Sequence, residues 1–110
     1  MEKDEQTTSL EVKKDKSLFR TGNIFVECGF YRGNYYSAGW IKYCEADYIC
    51  YYDTTQRRGI IVDRYILLSL LEQGKKKEFY DKIDGKNGIA ILLPMEVARQ
   101  NKAIVSEWQD

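Results

Sequence analysis

Histidine is absent from this chain of 110 residues. That omission removes Ser-His-Asp and Cys-His chemistry in their ordinary forms, so any catalysis must rest on carboxylates, lysine, tyrosine and a metal. Cysteine is scarce and odd in number: Cys28, Cys44 and Cys50 carry no C-x-x-C spacing. Neither a disulfide framework nor a zinc site is expected, and the three thiols read as small apolar packing residues in a reducing compartment. No apolar run approaches the ~20 residues of a membrane span, and the opening MEKDEQTT has no signal-peptide character. The expectation is a soluble, cytoplasmic protein with no membrane partner. An excess of one charge is also missing. Lys+Arg and Asp+Glu both number 17, so no global basic field points to a nonspecific nucleic-acid coat.

What is present suffices for one domain. The length suits a single core, and the 44% hydrophobic content can fill it. The first eight residues are polar and expected to fray. In the segment Leu10 to Glu27, Glu11, Lys13 and Asp15 occupy alternate positions, so on a strand they share one face while Leu10 and Val12 share the other. Across a turn at Arg20-Thr21-Gly22, Ile24, Val26 and Cys28 alternate with Asn23, Phe25 and Glu27. The pattern predicts a hairpin over residues 9–15 and 23–29, apolar on one face and charged on the other. A register setting Glu11 opposite Glu27 would crowd two carboxylates unless Lys13 or a cation neutralised them.

Residues 30–39, rich in Tyr and Gly, read as a loop, and Trp40 and Ile41 bring the chain back toward the core. ADYICYY over 46–52 is dense in β-formers and reads as a strand, with a turn at 53–56 and a short apolar strand at 59–62. Asp63 is placed to cap a helix over 64–73, where Ile66, Leu67, Leu70 and Leu71 fall at helical spacing before Gly74. Residues 75–88 read as mostly loop, 89–93 as a non-alternating and therefore central strand. Pro94 opens a short helix from 95 to about 100, and Ala103, Ile104, Val105 and Trp108 dock the C-terminus. The expected class is α+β: a mostly antiparallel or mixed sheet of about five strands with two helices.

The order EVKKD, RTGNIFVE, SAGW and EADYICYYD, covering Leu10 to Val62, resembles small phage-type nucleases of the PD-(D/E)XK, or restriction-endonuclease-like, superfamily. The resemblance implies a restriction-endonuclease-like core and metal-dependent DNA phosphodiester hydrolysis in a bacterial cell. Glu11 and Lys13 fall on its E-x-K motif, with Glu11 a Mg²⁺ or Mn²⁺ ligand, Lys13 the charge stabiliser or water orienter, and Glu27 an auxiliary carboxylate. That superfamily carries a metal-binding Asp upstream of E-x-K. Here Asp4 is the sole aspartate before Leu10, so either Asp4 supplies that ligand or the chain is a shortened, inactive relative. Arg20, Arg32 and Lys42 are the expected contacts to DNA, with Gly33 and Ser37 beside Arg32.

Bland readings stand beside these. Glu11 and Lys13 can be an ordinary ion pair on a solvated sheet face. Asp15 can be a further ligand or an acceptor for Arg20. The basic runs Gln56-Arg57-Arg58 and Lys75-Lys76-Lys77, with Lys82 and Lys86, can be solvated surface or nucleic-acid contacts. The nine tyrosines can stack on unpaired bases or fill sheet surfaces. The alternative to a nuclease is a non-catalytic relative acting by occupancy on DNA or a protein partner, such as an inhibitor of host defence. An oligomer, a homodimer included, could borrow site residues from a partner chain.

Overall fold

In the computed structural model, which describes residues 8–83 and 85–110, strand β1 (Leu10–Lys14) does not pair with the segment that follows it. It runs parallel to β4 (Tyr48–Asp53), Leu10 beside Tyr48 and Lys13 beside Tyr51. Polar ties hold both ends of this ladder. At the start, the Asp47 carboxylate accepts from the Ser9 amide at 3.1 Å and its hydroxyl at 3.2 Å. At the far end, the Asp15 amide donates to the Tyr52 carbonyl at 2.8 Å.

The predicted hairpin fails because of Leu18. Helix α1 (Leu18–Thr21) interrupts the proposed turn, and Leu18 is fully buried. A single helical turn has no independent stability. Burying a leucine side chain contributes about 1.5–3 kcal/mol, so packing rather than propensity folds this segment. Gly22, at φ 73°, takes the left-handed conformation that ends α1 and sends the chain into β2 (Asn23–Arg32) in a different sheet.

β2 pairs with β3 (Tyr35–Ala38) and with β7 (Lys86–Pro94), and β6 (Lys75–Asp81) closes the far side. The second sheet therefore has the antiparallel order β3-β2-β7-β6. The first has the mixed order β1-β4-β5-β8, with β5 (Arg58–Asp63) and β8 (Ile104–Gln109). The architecture is α+β, as expected, but among the described residues it holds eight strands in two sheets instead of about five in one. Two supposed loops are strands: residues 30–39 complete the β2–β3 hairpin, and 75–88 supply β6 and the start of β7. β7 is interior, as its apolar run implied.

One core cluster joins the sheets through Ile49, Tyr51, Ile60 and Val62 on one side and Ile24, Val26 and Leu93 on the other. α3 (Arg64–Leu70) continues as a 3-10 turn, Leu71–Gln73, and adds Leu67 and Leu70 to the core. Asp63 caps α3 as expected, accepting from the Ile66 amide at 3.1 Å. α2 (Trp40–Tyr43) contributes Ile41, and α4 (Met95–Gln100) contributes Met95 and Ala98. No described helix is long and apolar enough to cross a membrane.

Candidate functional site

Alternation along β2 places Ile24 and Val26 in the core and turns Asn23, Phe25 and Glu27 to the opposite face. Cross-strand register adds Leu92 beside Phe25, and Lys77 beyond Ala90 from Glu27. On β1, alternation sets Lys13 on the same face as Tyr51. These two groups meet in a cleft of about 530 Å³, completed by Trp40 from α2 and by Asp15, Lys16, Ser17, Arg20 and Thr21 from the β1–α1 connection. Its charged lining is five cations, Lys13, Lys14, Lys16, Arg20 and Lys77, against two carboxylates, Asp15 and Glu27. In a chain of zero net charge, the cationic excess is a local feature of this concavity.

Several of these side chains are already positioned. The Lys13 ammonium lies 4.2 Å from the centre of the Trp40 ring, a cation–π contact that anchors both. Asp15 Oδ1 accepts from the Ser17 amide at 2.9 Å, and Arg20 donates to the Ser17 hydroxyl at 3.0 Å. Asp15 thus has a structural role, though its partner is Ser17 and not Arg20. Burial pushes the Glu27 carboxyl above its ordinary value, a rise that Lys13 and Lys86 oppose and Asp81 supports.

The predicted site residues divide between the cleft and elsewhere. Lys13, Glu27 and Arg20 line it; Glu11 does not, and stands exposed on β1 beside Ile49, not opposite Glu27. Glu27 itself lies beside Ala90. Leu10 and Val12 are exposed rather than buried, at 52% and 56%, because nothing among the described residues covers the outer face of this edge strand. Arg32 and Lys42 are exposed outside the cleft, on β2 and α2, and Asp4 lies outside the described residues. Of the basic runs, Lys77 belongs to the cleft, whereas the Arg58 guanidinium stacks 3.9 Å from the centre of Phe19.

The cleft holds two carboxylates, Asp15 and Glu27. Mg²⁺ is usually held by one or two ionised carboxylates together with substrate phosphates. Asp15 is engaged through one oxygen by the Ser17 amide, and burial raises the Glu27 carboxyl above its ordinary value. Among the described residues no three His, Cys, Asp or Glu side chains gather where they could hold a metal.

Phe25 and Trp40 are not site residues in the sequence reading, whereas Lys77 enters there within a basic run and Tyr51 as one of the nine tyrosines. Phe25 offered one signal, since it is a large aromatic alternating with Asn23 and Glu27 on the polar face of its strand. No protein-family model, curated protein or solved structure matches the chain.

Proposed function

We propose that this protein binds DNA in the cleft and acts by occupancy rather than by cleavage. The observation that carries this reading is the lining itself: five cationic side chains against two carboxylates, interleaved with Trp40 and Phe25. Phosphate oxygens seek Lys and Arg, and aromatic faces accept bases without demanding a sequence. A protein partner with an acidic segment would use the same cations but would leave the ring faces unused.

Fluorescence anisotropy of a labelled oligonucleotide, titrated at several salt concentrations, tests this. Each phosphate contact releases counterions, so Lys77→Ala and Lys16→Ala should each weaken binding and reduce the salt slope by about one. Arg32→Ala and Lys42→Ala, outside the cleft, should leave both unchanged. Binding insensitive to Lys77 and Lys16 would overturn the assignment.

A second reading is metal-dependent cleavage on a restriction-endonuclease-like core, and the meeting of Lys13 and Glu27 in one concavity favours it. It predicts that Lys13→Ala abolishes hydrolysis of single-stranded, duplex or branched DNA with Mg²⁺ or Mn²⁺.

A further inference from the structure

A buried phenol hydroxyl needs a hydrogen-bond partner, since burial removes the water that would otherwise serve. Tyr51 is 2% exposed, lines the cleft, and its hydroxyl has no partner among the described residues. Burial raises its proton affinity, with the nearby Asp15, Cys44 and Cys28 adding to the effect, so the group stays a neutral donor at any physiological pH. Its strand neighbour on the same face is Lys13, whose ammonium rests on the Trp40 ring. The cleft thus offers three kinds of contact. Cations from the β1–α1 connection and β6, aromatic surface from Phe25 and Trp40, and an unsatisfied donor on β4 all belong to its wall.

We infer that the cleft takes one unpaired nucleotide of a single-stranded DNA, with the base on Trp40 and Phe25 and an acceptor on the base edge meeting the Tyr51 hydroxyl. The phosphate faces Lys16, Arg20 and Lys77. This rests on the nucleic-acid reading above and narrows it to single strands. The volume of about 530 Å³ lies in the range of sites for single small ligands, about 300–1,000 Å³. A base in a duplex cannot enter, because its faces are stacked and its edge is paired. The base and the Lys13 ammonium compete for the same ring, so entry of the base releases Lys13 toward the phosphate and opens the side of Tyr51 that Lys13 adjoins. Each base presents a carbonyl oxygen or ring nitrogen that can accept from a phenol, so the site discriminates strandedness more than sequence.

The test compares a labelled oligo-dT with the same strand annealed to oligo-dA, using wild-type protein and Tyr51→Phe, over a salt series. The single strand should bind at least about tenfold more tightly than the duplex. Tyr51→Phe should lose about tenfold of the single-strand affinity while its salt slope stays that of the wild type, because the phosphate contacts are untouched. The variant keeps the ring, and the free protein loses no hydrogen bond, so its melting temperature should not fall. Equal single-strand affinity for Tyr51→Phe and wild type overturns the inference whatever the duplex does. Equal binding of single strand and duplex overturns it too, and leaves DNA binding standing. Absence of binding to either DNA removes both.

Discussion

At the scale of single residues, Glu27 and Asp53 show how burial acts on a carboxylate with and without compensation. Asp53 is fully buried, and burial alone would raise its carboxyl. The Gln56, Phe19 and Thr55 amides and the Arg58 charge outweigh this and hold it below the ordinary range. Glu27 lacks that set of amides, and its carboxyl is raised by burial in spite of Lys13 and Lys86. An acid whose folded pKa is raised is most favourable to folding below its unfolded pKa, about 4.3. That contribution is lost as pH rises through the folded value. Glu27→Gln should therefore be more stable than the wild type at neutral pH, with the difference closing on acidification below pH ~4 in urea melts. The same substitution removes a negative charge from the proposed DNA-binding cleft, so its oligonucleotide affinity should rise. A loss of affinity would make Glu27 a direct contact instead of a charge that opposes the ligand.

At the scale of elements, the cleft depends on how α2 sits against β2. The β2–β7 register shifts between Glu27 and Gly29, a bulge at Cys28 of the sort that re-aims neighbouring side chains. The Cys28 carbonyl accepts from the Gly39 amide at 2.8 Å, which ties the start of α2 to the bulge and so places Trp40. A Cβ at Gly39 would lie 2.7 Å from the Cys28 carbonyl carbon and the Gly29 nitrogen. Its φ of −84° suits any residue, so only space forbids a side chain. Gly39→Ala should cost about 1–3 kcal/mol in a denaturant melt and weaken oligonucleotide binding together with stability. This contact was invisible in the sequence, where Gly39 stood in a supposed loop. The features that could be read were local: the Asp63 cap with Leu67 and Leu70 at helical spacing, the β-rich run before Asp53, Pro94 before α4, and the alternation that buried Ile24 and Val26. What failed was pairing. A β1–β2 hairpin would leave out the burial of Leu18 in the core, and the lysine run of β6 reads as solvated loop although it pairs along β7. Lys13 and Glu27 share one concavity, but they converge from two sheets and not across one turn.

At the scale of the whole molecule, equal numbers of acids and bases are distributed unevenly. Outside the cleft the described residues carry basic and acidic side chains in equal number, eleven of each, so the net positive charge among the described residues lies in the cleft. Binding should then be local and only moderately salt-dependent, with the single-strand slope set by a few phosphates at about −0.7 each. Ligand linkage turns this into a stability measurement that also separates the two functional readings. A ligand at 100 times its dissociation constant stabilises the folded state by about 2.7 kcal/mol. For a domain of this size that raises the melting temperature by roughly 10 °C. Oligo-dT should produce such a shift in the wild type and a much smaller one in Lys77→Ala. Millimolar Mn²⁺ or Mg²⁺ should produce none beyond that of matched ionic strength, because Glu11 stands outside the cleft, one Asp15 oxygen is engaged by Ser17, and among the described residues no three His, Cys, Asp or Glu side chains gather to hold a metal. A cation-specific rise in the wild type that vanishes in Glu27→Gln would reverse the preference and make Glu27 a metal ligand of a working nuclease.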